Sequence, residues 1–237
     1  MIQGSRIGAG FVGACFQTTR VHAGNQAGFA ACKALAAGQS QGVLLYGLVG
    51  TGKTHHLICA ARRFEERAWM DQRCPESDGS AGELVAVDIR QLMAEAAQRY
   101  AAIDPASEPA PSLTRDEMEN HVDVRYWFVP ELIDRLRSEI GEGIRWTAAK
   151  CRECALLVLD DLGVERSTDF ATEELEQIID YRYRERAPIA VSTNLRWPKE
   201  FQERYGDRAV SRWSQQCAIV EMAGPDQRVR KEARNGG

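Results

Sequence analysis

The sequence predicts a three-layer α/β fold, in which helices cover both faces of a parallel β-sheet. A glycine-rich loop, Gly47 to Thr54, lies between an apolar run at 42–46 and a helix-compatible stretch at 55–67. A second run, at 155–159, is entirely apolar, as expected of a strand buried on both faces of a sheet. Apolar runs then alternate with helical patterns, which is typical of a parallel sheet built from βα units.

The other elements follow the same alternation. Helices and strands are predicted, in chain order, at residues 25–37, 124–129, 130–143, 172–186 and 188–191. Pro130 suits the first turn of a helix, whose apolar face we expect to carry Ile133, Leu136 and Ile140. Parallel sheets bind ligands at the carboxyl ends of their strands, so we expect the functional residues there.

Composition indicates a water-soluble protein with a substantial core. The chain has 237 residues, of which 44% are hydrophobic, and it has no apolar run near the ~18 residues that span a bilayer. Its seven cysteines show no disulfide-framework spacing, which favours free thiols in a reducing compartment. We therefore expect a cytoplasmic protein that does not contact membranes.

The chain divides into unequal regions. We expect an N-terminal preamble at 1–40, a main domain at 41–231 and a flexible tail at 232–237. Residues 71–123 hold 12 acidic and 4 basic residues and three closely spaced prolines, which predicts an exposed insertion. Such an acidic segment is better suited to docking a protein than to binding DNA.

The glycine-rich loop GLVGTGKT fits the phosphate-loop pattern Gly-x-x-x-x-Gly-Lys-Ser/Thr at every fixed position. Its backbone N–H groups and the following helix N-terminus would surround the phosphates of a nucleoside triphosphate. Lys53 would reach the β- and γ-phosphates, and the Thr54 hydroxyl would coordinate Mg²⁺. The predicted nucleotide-binding residues are Gly47, Gly50, Thr51, Gly52, Lys53, Thr54 and His55.

Two adjacent carboxylates end the apolar run at 155–159. In phosphate-loop proteins an acidic residue at the end of a neighbouring strand holds Mg²⁺, which assigns this role to Asp160. Asp161 would then orient or deprotonate the attacking water. Together with Thr54, these residues predict a magnesium-dependent hydrolytic site.

Two further features leave alternatives open. Residues 181–237 carry a net charge of +5 against −9 for residues 1–180, so this basic end could meet DNA, a neighbouring subunit's nucleotide, or only solvent. Cys151 and Cys154 form a Cys-x-x-Cys pair that could be half of a zinc site completed by Cys74 or His121, a redox pair, or a coincidence near a helix end.

Several stretches together resemble the AAA+ ATPases of the DnaC/IstB type, a family that includes helicase loaders and the ATPase subunits of one class of transposons. The resemblance rests on GVLLYGLVGTGKTHHL, FVPELIDRLRSEI, LLVLDDLG, IIDYRYRERAPIAVSTNL, YGDRAVSRW and EMAGPDQRVRK. It implies an AAA+ core of the P-loop NTPase class with a reduced or absent helical lid, and it implies ATP as the nucleotide.

The resemblance also assigns roles to individual residues. Asn194 looks like the sensor that touches the γ-phosphate or the attacking water. Arg212 looks like an arginine finger supplied to a neighbouring subunit of a homo-oligomer, with Arg208 as the alternative. Arg182 either approaches a neighbour's nucleotide or lies on a solvated helix face.

Three functions fit this resemblance. The leading one is a replicative-helicase loader that binds a helicase and single-stranded DNA and uses ATP hydrolysis as an assembly switch. The second is a transposition ATPase that assembles on duplex DNA and recruits a transposase. The third is an adaptor that binds ATP, hydrolyses little of it, and regulates another protein.

Overall fold

The computed structural model describes residues 2–73 and 122–227. By its internal contacts the chain separates into a unit of residues 1–70 and 122–237 and a second unit of residues 71–121. The predicted insertion lies almost wholly outside the described residues, and so does the predicted tail.

Six strands of the described residues form one parallel sheet. They are β1 (Gln3–Gly4), β2 (Gly42–Tyr46), β3 (Val124–Phe128), β4 (Leu156–Leu162), β5 (Ile189–Thr193) and β6 (Ala218–Glu221). Their order in the sheet is β1-β3-β4-β5-β2-β6. The two strands that lead into the predicted site, β2 and β4, are therefore separated by β5 alone, and their carboxyl ends lie at the same edge.

Helices cover both faces of this sheet. They are α1 (Gln26–Ala36), α2 (Lys53–Arg73), α3 (Val129–Gly141), α4 (Trp146–Glu153), α5 (Asp169–Arg184) and α6 (Lys199–Gln216), the last interrupted at Gly206. The predicted three-layer α/β fold is confirmed. Between the end of β6 and residue 227 the structure contains no helical lid.

Alternate residues of the strands divide the core in two. In β2, Val43 and Leu45 pack with residues of α1 and α2, such as Leu35 and Ile58. Leu44 points to the other face, into a cluster built with α3 to α6. This alternation follows from the two-residue period of a strand, and it explains why the central strands are apolar throughout.

The prediction for the apolar face of α3 is wrong at one position. Ile133 and Leu136 are buried, whereas Ile140 is 42% exposed. Glu139 takes the inward position, because its carboxylate accepts hydrogen bonds from the backbone N–H (2.9 Å) and hydroxyl (2.5 Å) of Thr147 at the start of α4. The need to satisfy that helix N-terminus therefore overrides the hydrophobic pattern.

Within the described ranges, residues 2–73 and 122–227, no helix is long and apolar enough to span a bilayer.

Candidate functional site

The phosphate loop connects β2 to α2 at the carboxyl edge of the sheet. Gly47 and Gly50 have positive φ angles of 136° and 81°, which side-chain-bearing residues rarely adopt. A Cβ at Gly47 would collide with the carbonyl of Met222, and one at Gly50 with the carboxylate of Asp226. The loop therefore needs glycine at both positions for conformation, and at Gly47 also for space, because a backbone carbonyl lies there.

Lys53 lies across the loop rather than in solvent. Its ammonium group donates hydrogen bonds of 2.8 Å to the carbonyls of Gly47 and Leu48, and the residue is only 5% exposed. Thr51 also donates to the Leu48 carbonyl, at 2.9 Å. The lysine charge is thus held inside the loop, next to the space into which the N-terminus of α2 opens.

The two residues predicted to hold a metal are in contact. The Thr54 hydroxyl, in the first turn of α2, donates a 3.0 Å hydrogen bond to Oδ1 of Asp160, near the end of β4. A hydroxyl and a carboxylate are hard oxygen ligands of the kind that Mg²⁺ binds, commonly with waters and substrate phosphates completing its coordination. The donor set therefore fits Mg²⁺.

Asp160 is 3% exposed and is gripped from both neighbouring strands. The Tyr126 hydroxyl in β3 donates to its Oδ2 at 2.7 Å, and the Ser192 hydroxyl in β5 donates to its Oδ1 at 2.5 Å. Burial, together with the neighbouring negative charge of Asp160, raises the pKa of Tyr126 far above its usual value. Tyr126 consequently remains protonated and keeps its role as a donor.

Asp161 and Asn194 come together beside this pair. Asp161 has a left-handed backbone, with φ of 57°, and its side-chain Oδ1 accepts a long 3.5 Å hydrogen bond from the Asn194 amide. Both residues line the same cavity as Lys53 and Thr54. The structure therefore brings the predicted water-activating and sensing residues to one place.

The cavity at this edge has a volume of about 1040 Å³, which is at the upper end of the range for small-molecule sites. The phosphate loop lines part of it, and the N-terminal segment lines another part, including Phe11, Thr19 and Arg20. The described residues thus provide phosphate-binding groups at one end and room for a nucleoside beside them.

The segment after β6 closes over the back of the loop. The Met222 amide donates to the Tyr46 carbonyl at 2.7 Å, and the Gln227 amide donates to the Gly50 carbonyl at 3.0 Å. Gln227 also lines the cavity. The phosphate loop is therefore braced by backbone hydrogen bonds from the other end of the domain.

Solved structures with this fold include several replication proteins. The DnaC helicase loader has a TM-score of 0.62 and 17% identity, with 91% of this chain and 100% of that chain covered. DnaI has a TM-score of 0.61 and 17% identity, with 95% and 96% covered. The replication initiator DnaA, bound to AMPPCP and single-stranded DNA, has a TM-score of 0.60 and 18% identity, with 94% of this chain and 55% of that chain covered. The chain has a DnaC-like P-loop NTPase fold.

At these identities the likeness is one of fold. No protein-family model matches the sequence, and no curated protein matches it either. The P-loop NTPase fold confirms the architecture that the sequence resemblance implied.

Arg212, the predicted arginine finger, lies away from the nucleotide cavity of its own chain. It forms an ion pair with Asp180 of α5 and lies 5.9 Å from the centre of the Tyr183 ring. Arg208 and Arg212 line a separate, smaller hollow between α5 and α6. Arg212 therefore does not line the predicted nucleotide cavity of its own chain.

The two interpretations of Arg182 are both wrong, because this arginine is fully buried. Its guanidinium donates hydrogen bonds of 3.0 Å to the carbonyls of Cys151, Arg152 and Cys154, and another of 2.5 Å to Pro188. These carbonyls surround the end of α4 and the start of β5. Arg182 is thus a structural cation that satisfies backbone acceptors inside the core.

Cys151 and Cys154 pack around the same guanidinium. Burial raises the pKa of both thiols, to about 12 for Cys151, so they stay protonated and unreactive. Among residues 2–73 and 122–227, no group of three or more His, Cys, Asp or Glu side chains is arranged to hold a metal. Cys74 and His121, the residues considered as further ligands, lie outside the described residues.

The two histidines at the start of α2 have different surroundings. His55 forms a 2.9 Å hydrogen bond with Thr19 and lines the cavity, where it was predicted to be. His56 is buried and donates from Nδ1 to the Gly52 carbonyl at 2.8 Å. Burial lowers the pKa of His56, so it is neutral at physiological pH.

Besides Tyr126 and Ser192, sequence reasoning missed the buried Glu165, which supports the site. The Glu165 carboxylate accepts hydrogen bonds from the backbone N–H of Gly163 (2.8 Å), from Arg204 (3.1 Å) and from the Tyr205 hydroxyl (2.6 Å). It thereby ties the turn after Asp161 to α6. A Glu shortly after the acidic pair was a visible signal, but its partners lie about 40 residues away in the chain.

Proposed function

We propose that this protein is a magnesium-dependent ATPase that acts as a DnaC-type replicative-helicase loader. The observation that supports the ATPase most strongly is the direct contact between Thr54 and Asp160 beside the phosphate loop that holds the Lys53 ammonium group. It joins a helix N-terminus to a strand end more than a hundred residues away, as a phosphate-loop hydrolase requires.

Five polar side chains at this site have a place in this chemistry. Lys53 and the loop N–H groups bind the triphosphate, and Thr54 with Asp160 would hold Mg²⁺, which supplies charge neutralisation at the phosphates. Asp161 orients the attacking water and accepts its proton. The Asn194 amide, in contact with Asp161, fixes the position of the water relative to the γ-phosphate.

The loader role is favoured by the extent of the structural match. The match covers 100% of the DnaC chain and 96% of the DnaI chain, but 55% of the DnaA chain bound to AMPPCP and single-stranded DNA. The proposal includes a homo-oligomer in which Arg212 of one subunit completes the site of the next, and partners that comprise a replicative helicase and single-stranded DNA.

Electron microscopy tests this role directly. The purified protein, with a non-hydrolysable ATP analogue, is imaged on single-stranded DNA and on duplex DNA, with and without a replicative helicase. Assembly on single strands, or only with helicase, is the expected result. Filaments or rings on duplex DNA alone would instead indicate the transposition ATPase, and the loader proposal would be wrong.

Hydrolysis is tested separately from assembly. The wild-type protein should release phosphate from ATP in the presence of Mg²⁺ and should bind ATP without hydrolysing it in the presence of a chelator. A protein that binds ATP with Mg²⁺ but shows no turnover with DNA, helicase or both would be the nucleotide-dependent adaptor.

A further inference from the structure

One hydroxyl group contacts both members of the acidic pair. Ser192, in β5, donates to Oδ1 of Asp160 at 2.5 Å and accepts the backbone N–H of Asp161 at 2.9 Å. The side chain is completely buried. A single serine thus connects the residue expected to hold the metal with the residue expected to activate water.

The need for this hydroxyl arises from an irregularity in the sheet. Leu159 of β4 pairs with Val191, but the next pair is Leu162 with Thr193. Asp160 and Asp161 therefore both lie opposite Ser192, which is the arrangement of a β-bulge. The extra residue, Asp161, has left-handed backbone geometry, and its N–H is satisfied by the serine side chain rather than by a ladder carbonyl.

Tyr126 contacts the other oxygen of Asp160 from the opposite neighbouring strand. Its hydroxyl donates to Oδ2 at 2.7 Å, and the side chain is 6% exposed. The carboxylate is consequently fixed on both sides, with Thr54 as its partner at the cavity. The Tyr126 hydroxyl donates to Asp160, whereas the Ser192 hydroxyl forms hydrogen bonds with both acids, so the two hydroxyls can be separated by experiment.

We propose that Ser192 is a positioning residue that sets the geometry of Asp160 and Asp161 together, and that Tyr126 positions Asp160 alone. This inference rests on the proposed ATPase function. The Ser192 O–H donates to the Asp160 carboxylate, and the Ser192 oxygen accepts from the Asp161 backbone N–H. Removal of the Ser192 hydroxyl takes away the hydrogen bond donated by the Asp161 N–H and one of the two hydroxyl groups that donate to Oδ1 of Asp160, the other being that of Thr54.

The test uses Mn²⁺ as the metal probe. Binding is measured from the electron paramagnetic resonance signal of free Mn²⁺, with intact protein saturated with a non-hydrolysable ATP analogue. Both Ser192→Ala and Tyr126→Phe should weaken Mn²⁺ binding about 10- to 100-fold, as loss of groups that orient metal ligands commonly does. This readout does not depend on turnover.

Hydrolysis at saturating metal should distinguish the two variants. Ser192→Ala should remain about tenfold or more slower than wild type, because the Asp161 N–H loses its hydrogen bond to Ser192 and the carboxylate is held less accurately towards the water. Tyr126→Phe should recover most of the wild-type rate once the metal site is filled. Ser192→Thr keeps the hydroxyl and should restore both metal affinity and rate.

Thr193→Ala is the matched control. The Thr193 hydroxyl is equally buried in β5, but it donates to the Leu162 carbonyl at 2.6 Å instead of contacting the acids. This variant should lose stability in thermal unfolding without losing Mn²⁺ affinity. If Thr193→Ala and Ser192→Ala weaken Mn²⁺ binding equally, the effect is structural and the inference is wrong.

Failure of the inference differs from failure of the proposed function. Wild-type protein that binds the analogue and Mn²⁺, with Ser192→Ala unchanged in affinity and rate, would refute the positioning role alone. A loss of Mn²⁺ affinity and hydrolysis rate in Ser192→Ala that Ser192→Thr does not restore would also refute the positioning role. Wild-type protein that binds neither nucleotide nor Mn²⁺ would refute the ATPase proposal and this inference with it.

Discussion

Replacement of Asp161 by asparagine should stop ATP hydrolysis while sparing ATP binding. Asparagine has nearly the same size and, like aspartate, tolerates the left-handed backbone found here at φ of 57°. The substitution therefore removes the charge and the proton acceptor while keeping the bulge. Nucleotide binding should persist because the phosphate-binding groups, Lys53 and Thr54, belong to the loop and α2.

The expected loss can be estimated from the role assigned to the carboxylate. A positioned general base contributes about 10²- to 10⁴-fold to a rate. At about 1.4 kcal/mol for each factor of ten, this corresponds to roughly 3–5 kcal/mol of barrier height. Asp161→Ala should lose a similar amount of rate and, in addition, about 1 kcal/mol of stability, because alanine has no local hydrogen bond to offset the left-handed strain.

Three measurements separate these effects. Single-turnover hydrolysis gives the rate, a fluorescent ATP analogue gives the affinity, and urea denaturation gives the free energy of unfolding. Asp169→Asn, on the first turn of α5, is the control for loss of a carboxylate. A rate for Asp161→Asn within about threefold of wild type would exclude the contribution expected of a general base.

Three further predictions concern residues outside the acidic pair. Arg212→Ala should inhibit wild-type subunits in mixed assemblies, with a loss of hydrolysis rate approaching ~10³-fold for an arginine finger. It should cost at most about 1 kcal/mol of stability, because its ion pair with Asp180 is partly exposed. A loss of rate merely proportional to the variant fraction, or equal to that of Arg208→Ala, would argue against a finger. Arg182→Met should lower the free energy of unfolding by at least about 3 kcal/mol, since each buried acceptor left without a donor costs about 1–3 kcal/mol. Arg184→Met, at an exposed position, should change it little. Equal losses of the two variants in urea denaturation would contradict the structural role of Arg182. Stability should fall as pH drops from about 7 to 5, because the lowered pKa of buried His56 means that the unfolded chain binds a proton that the folded chain does not. His56→Gln keeps a donor for the Gly52 carbonyl and should flatten this pH dependence of the free energy of unfolding. An unchanged slope in denaturation at several pH values would assign the pH dependence to other groups.

Much of the site could be predicted because its chemistry is written in contiguous segments. The phosphate loop, with Lys53 and Thr54, requires residues at fixed spacing, and the acidic pair directly follows an apolar strand. Their approach follows from the fold class, since parallel strands end at one edge of the sheet. Asn194 was placed by resemblance, and the structure puts it beside Asp161.

The supporting residues could not be predicted, because their roles depend on which strands are neighbours. Ser192 matters only because β5 lies next to β4 and because a bulge places two acids opposite it. Nothing in the local sequence marks that bulge. Arg182 was predicted wrongly because its position on a charged helix suggested that it is exposed. In the structure the end of α4 packs over it, and carbonyls there accept hydrogen bonds from its guanidinium. Tertiary packing decided the role of each residue.

The most direct test of the central claim is a crystal structure with a non-hydrolysable ATP analogue and Mg²⁺. We expect the phosphates within the loop at residues 47–54, with the Lys53 ammonium moved from the Gly47 and Leu48 carbonyls to the β- and γ-phosphates. We expect the metal beside Thr54 and Asp160, and Asp161 facing the γ-phosphate. A nucleotide bound elsewhere, or a metal that avoids both oxygens, would contradict the assignment of this cavity as an ATP-hydrolysing site.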